Sequence, residues 1–407
     1  MKHIILMTAV VPAMFAGILF NNTPIVADDE LVPVYLGTYT GGEDGAKGIY
    51  LTQLNPQDGS LTEAQLVAEV PNPAFLAKHP LQPRLYAVTE QGHGDGSPVH
   101  AFAIDPVSFA LTKLNEQSVP AFGACHLGVF PLPVYTPINS PTPDGAPPFV
   151  VVVAYYNDGA TASLPLTPDG QLAPYQTLIK HEGSSSTQRQ TQAHAHAVYE
   201  YRPGIVAVPD LGTDKVFFFA ARPNGAIEKP LASFTELAIP SGSGPRHAVF
   251  SQELKTGFVL NELNSTICVI AYGVEAPSGI LTKPEIVQVI STLPEGASAE
   301  NNYTAEIFLH QNGRFLYASN RGNDSIALFH FDAATQRLTF IGTTSCGGSF
   351  PRSFDLSPCG KWLIVAAQQS DLVTTFHIDP DSGRLTPTGH TIQVKQPACV
   401  LPIMVEP

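Results

Sequence analysis

Ionisable residues recur at fixed places within a repeated phrase, and their types suit water activation and anion binding. Aligning the copies on their first turn puts His126, His196, His247, Glu306 and Ser353 at one position, with Arg246 and Arg352 one residue earlier. The turn after the next strand supplies a second set: Glu90, Tyr156, Asp210, Glu262, Arg321 and Gln368. Imidazole titrates near neutrality, burial can tune a carboxyl, and a planar guanidinium grips carboxylate or phosphate in a fork. Buried charge is costly unless paired or used, so convergence of such groups on one place marks a candidate site. Each residue alone also has an ordinary role open to it. A His at a strand start is a hydrogen-bonding group, Asp210 and Glu262 can accept from turn N–H groups, and Arg352 can pair with a neighbouring carboxylate. His194-Ala195-His196 places two imidazoles on one strand face, a spacing compatible with metal when His126 and Glu306 are near. No second metal signature accompanies it, so the reading assigns no metal and no cofactor.

The phrase that carries these residues consists of four short strands. Its clearest copy runs from Thr304 (AEIFLHQNG, RFLYASNRGND, SIALFHFD, QRLTFIGTT), and the next begins at Pro351. Earlier copies begin near Pro245, His194, Gly123 and Asn72. Fixed-period units of about four strands are the signature of propeller blades. Two fragments are left over, Val34 to Asn55 at the front and Gln396 to Pro402 at the end. The tail reads as the first strand of a repeat that completes the front fragment. The expectation is an all-β, seven-bladed propeller of four-stranded antiparallel blades, closed by the C-terminal strand. Two segments break the period: the Pro-rich stretch 131–148, and His181 to Gln192, which carries Arg189 and could cover one mouth of the funnel.

The chain of 407 residues has a net charge of −14, and that field disfavours nucleic acid and anionic membranes as partners. Met1-Lys2-His3, an apolar run to Phe20 and small residues near Ala27 read as a secretory signal peptide over 1–27. That makes 28–407 the folded part and secretion the expected location, with no membrane partner after cleavage; a mis-assigned start would leave the protein cytoplasmic. Five cysteines lack paired spacing. Asn264, Asn302 and Asn323 open sequons that matter only in an exported chain.

YLGTYTGG with GIY, VPDLGTDKV, GSGPRHAVF, VLNELNSTICV, STLPEG, GRFLYASNRGNDSIALF and the closing PACVL resemble the lactonase family of seven-bladed propellers. That family includes propeller-type 6-phosphogluconolactonases and carboxy-cis,cis-muconate cyclase (the cycloisomerase 2 group). The resemblance implies a cleft lined by Arg189, Gln190, His194 and His196, by Arg246 and His247, by Asn261 and Glu262, by Glu306, and by Asn320 and Arg321. It implies His, Arg and Glu chemistry on a small anionic lactone or carboxylate. The expected roles are anion and oxyanion binding by Arg189, Arg246 and Arg321, with His196 or Glu306 as general base. Lactone closure onto an alkene would use similar parts. A non-catalytic binding scaffold and a metal-dependent hydrolase using the His pair are the competing readings.

Overall fold

The computed structural model describes residues 30–42, 45–92, 94–133, 149–230, 234–275 and 280–404. The segment read as a signal peptide and residues 134–148 of the Pro-rich stretch lie outside them. Seven antiparallel blades form the ring. Their first strands are Leu76–Lys78, Ala124–Pro131, Tyr199–Arg202, Pro245–Ser251, Tyr303–Leu309 and Pro351–Leu356 in blades 2 to 7, and Pro397–Pro402 in blade 1. Pro397–Pro402 pairs with Val32–Thr38, so the tail completes blade 1 as the sequence leads one to expect. Closing the ring this way removes the open sheet edges of an arc.

Alternation of side chains explains why the middle strands read as unbroken apolar runs. In Phe149–Tyr155 the side chains of Val150, Val152 and Ala154 enter the core shared with blade 4. Val151, Val153 and Tyr155 enter the core shared with blade 2. A strand buried on both faces has no polar side to show. Every blade-to-blade interface has such a cluster, including the closing one, where Val34 and Leu36 meet Ile364, Val373 and Val400.

The first strands depart from this regularity at one recurrent point. Pairing slips between Ala124 and His126, between Pro245 and His247, between Pro351 and Ser353, and between Thr304 and Ile307. Such a bulge re-aims the side chains around it. In a regular strand Arg246 and His247 would face opposite ways; here both are buried among the ionisable groups described below. Leu36→Ala, at the closing interface, should cost about 2–5 kcal/mol. Leu66→Ala, on a half-exposed outer strand, should stay within about 0.5 kcal/mol. Urea unfolding checks both; equal losses would contradict a ring held by its interblade cores.

Candidate active site

Glu262 follows the second strand of blade 5, and its N–H bonds to the carbonyl of Gly244 at 2.8 Å. The same bond recurs around the ring, from Tyr39 to Gln396, Glu90 to Asn72, Tyr156 to Gly123, Leu211 to His194 and Gln368 to Phe350. It corrects the alignment of blade 4 and supplies the member for blade 1: counted from this bond, His196 stands where Arg246 and Arg352 stand, not where His126 and His247 do. The blade 4 member of the set is Leu211, not Asp210. Asp210 is fully buried, where it accepts the N–H groups of His194 and Thr213 and pairs with His181 at 2.7 Å. The blade 1 member is Tyr39, which the sequence reading missed because that blade is split between the chain's two ends.

The Glu262 carboxylate is 4% exposed and meets three guanidinium groups: Arg189 at 2.5 Å, Arg321 at 2.8 Å and Arg246 at 3.3 Å. Burial opposes its charge, but Arg321, Arg246 and Arg189 together hold its carboxyl far below the usual range. Arg246 gives its Nε–H to the carbonyl of Ala305 and an Nη1–H to His196 Nε2. Burial first, then Arg246, keeps the His196 imidazole neutral, well below its ordinary pKa. Arg321 bonds the carbonyls of Tyr303 and Thr304, and burial pushes its pKa down to about 9.

A second buried group adjoins the first. His247 Nδ1 lies 2.7 Å from Glu306, and the His247 ring sits edge-on to His196 at 5.5 Å and to His126 at 5.2 Å. His126 stacks on Phe75. Burial raises Glu306 to about 8, while burial and Arg246 depress His247, so the pair shares a single proton near neutrality.

Arg189 reaches Glu262 from a single 3₁₀ turn, Gln188–Gln190, and also donates to the Tyr156 hydroxyl at 2.7 Å. Its side chain is 44% exposed, so it bridges solvent and the buried carboxylate. Gln190, expected to line the cleft, does not. It is fully buried, takes the N–H of Thr187 and donates to the Leu211 carbonyl, which holds the loop that presents Arg189. His194 stacks on Tyr156, and its Nδ1 bonds the Tyr156 carbonyl. His196, two residues on, also meets the Tyr156 ring but bonds Arg246, and neither imidazole lies on a strand: the first strand of blade 4 begins only at Tyr199. The segment before His194 passes close to Gly212, where a Cβ would stand 1.8 Å from the Gln192 carbonyl oxygen. Asn320 is also displaced from its expected role. It is fully buried and bonded to Thr292, Asn302 and Ser325, so it braces blade 6. Arg352 lines a further corner, with an Nη2 bond of 2.6 Å to the Tyr39 hydroxyl and with Glu90 at 3.7 Å.

Residues 33–402 match the family described as lactonase, 7-bladed β-propeller. The chain belongs to that family. It is 31% identical to the 6-phosphogluconolactonase of Bacillus subtilis (strain 168) over 367 residues, 90% of this chain and 97% of that protein. A 6-phosphogluconolactonase of Formosa agariphila is 27% identical over 82% of this chain and 88% of its own length. The solved structure of the Pseudomonas aeruginosa periplasmic gluconolactonase, PpgL, superposes with a TM-score of 0.79 at 29% identity, covering 93% of this chain and all of that one.

The two carboxyls make opposite pH demands. Glu262, depressed in the fold, contributes stability that is complete above its unfolded value of 4.5 and is lost as pH falls below it. Glu306, raised to about 8, keeps a proton that the unfolded chain releases from about 4.5 upward, so stability falls as pH rises across that window. Glu262→Gln should therefore flatten the acid limb, and should cost about 3–5 kcal/mol at neutrality by leaving its arginines uncompensated. Glu306→Gln should flatten the decline between 4.5 and 8. Unfolding free energies measured across pH test both signs.

Proposed function

We propose that this protein hydrolyses the lactone of an anionic sugar acid, with 6-phosphogluconolactone as the type substrate. The observation that carries this is Arg246, whose one Nη1 group is shared by His196 and Glu262 at the centre of a guanidinium cluster. Arg189, Arg246, Arg321 and Arg352 against Glu262 and Glu90 leave the funnel locally positive in a chain of net charge −14. That field attracts an anionic lactone and favours the transition state, in which charge develops on the carbonyl oxygen.

The steps follow from the contacts. The lactone carbonyl takes the Arg246 Nη1–H, which releases the lone pair of His196 Nε2 beside it. Neutral His196 accepts a proton from water as the oxygen attacks the carbonyl carbon. Arg246 and Arg321 stabilise the oxyanion. Its collapse breaks the ring C–O bond, and the alkoxide takes a proton supplied from the Glu306–His247 pair. The new acid returns its proton to the Glu306–His247 pair and leaves as carboxylate, and His196 releases the proton taken from water to solvent. Arg189, the most exposed of the four arginines, engages the substrate's own anionic group. Export by way of the 1–27 segment is part of this proposal; the similar P. aeruginosa gluconolactonase is described as periplasmic.

The test is an assay of the mature protein on 6-phosphogluconolactone, glucono-δ-lactone and carboxymuconate, with and without chelator. We expect a sugar lactone to turn over unaffected by chelator. Arg246→Ala and His196→Ala should each lower kcat/KM by roughly 10²–10³-fold. Glu306→Gln should remove an activity limb near pH 8. Full activity in both folded alanine variants would overturn the assignment. Turnover of carboxymuconate alone would establish the cyclase chemistry instead, and no turnover at all the scaffold reading.

A further inference from the structure

The corner of the funnel formed by blades 7, 1 and 2 is built differently from the arginine cluster on blades 4 to 6. Tyr39 donates its hydroxyl to Glu90 Oε2 at 2.5 Å and accepts from Arg352 Nη2 at 2.6 Å. The Arg352 guanidinium also lies over the Tyr39 ring, 5.0 Å from its centroid. These bonds leave Glu90 Oε1 without a donor and Arg352 Nε and Nη1 without acceptors among the described residues. Neither side chain is sealed off: Glu90 is 26% exposed and Arg352 16%. Burial, opposed by Arg352 and helped by Glu90, raises the Tyr39 phenol, so it keeps its proton and its bond to the carboxylate.

The backbone fixes this corner. Asn72, at a φ of 42°, takes the Thr40 N–H on its side-chain oxygen and gives its amide to the Glu90 carbonyl, while its own carbonyl accepts the Glu90 N–H. The Tyr39 N–H bonds the Gln396 carbonyl. The three side chains are therefore held ready in one place rather than ordered by a ligand.

A free carboxylate oxygen beside free guanidinium donors suits a group that both donates and accepts. Adjacent hydroxyls do so; a second anionic group would meet Glu90 at a loss. Resting on the lactonase reading above, the geometry points to Glu90, Tyr39 and Arg352 as the subsite for the vicinal hydroxyls of a polyhydroxylated lactone. Glu90 Oε1 accepts one hydroxyl proton, and Arg352 donates to the neighbouring oxygen. The substrate then spans the funnel, with its anionic end on blades 4 to 6 and its polyol face on blades 7, 1 and 2. A site that hydrogen-bonds hydroxyls rejects analogues lacking them, because its own polar groups are left unpaired.

Kinetics on whichever sugar lactone turns over best, against δ-valerolactone, which has the same ring and no hydroxyls, test this. The wild type should prefer the sugar lactone by at least about 100-fold in kcat/KM. Glu90→Gln and Tyr39→Phe should each reduce that preference about tenfold or more, mainly through KM for the sugar lactone. Circular dichroism confirms that the variants are folded, and Tyr39→Phe supplies a second probe should Glu90→Gln fail to fold. Equal rates of the wild type on both lactones, or a preference kept within twofold by the folded variants, overturns the subsite. A wild type inactive on every lactone instead overturns the lactonase reading itself.

Discussion

A carboxylate removed from water must be compensated where it stands, and Glu262 is compensated by groups that come from three separate parts of the chain. Arg189 arrives on the loop between blades 3 and 4, Arg246 on the first strand of blade 5, and Arg321 at the end of the second strand of blade 6. Removing Glu262 would leave three guanidinium groups facing one another in a poorly hydrated place. The arrangement therefore fixes the relative position of three blades at the funnel as well as the charge within it. The orientation of His196 follows from the same arrangement, because its partner Arg246 is held by both Glu262 and the Ala305 carbonyl.

The rest of the molecule is regular so that this irregular centre can exist. Each middle strand contributes alternate side chains to the two cores on either side of its blade, and the closing cluster joins the ends of the ring. Strands packed on both faces cannot accommodate charge, so the ionisable groups collect where the pairing slips. The bulges supply those places, with Arg246, His247, Arg352 and Glu306 at or beside them.

Much of this could be read from the chain because the repeat is itself physical: strand, turn, strand, at a constant offset, with polar residues where a plain blade would be apolar. Seven blades and the closing strand follow from that pattern, as do Arg246, His196, Glu262, Arg321 and the His247–Glu306 pair as groups that meet. The misses have specific causes. Asp210 and Leu211 differ by one position, and only the recurring N–H to carbonyl bond separates them. Gln190 and Asn320 carry the right chemistry in family-like phrases, yet their amides satisfy neighbouring backbone and side-chain groups. Tyr39 had no aligned copy, since its blade is assembled from the two ends of the chain.

That divided blade also governs when the protein can first work. Tyr39 and Arg352 are 313 residues apart in sequence, yet they touch, and the backbone beneath Tyr39 is tied to Gln396. A chain emerging at roughly 5–20 residues per second holds its earliest strands for tens of seconds before their partners exist. Through that interval the front strands have an unpaired edge, and the funnel has an unfinished wall. Completion of the pocket is thus a late event that depends on the last strand reaching the first, so a binding-competent funnel signals a fully delivered polypeptide.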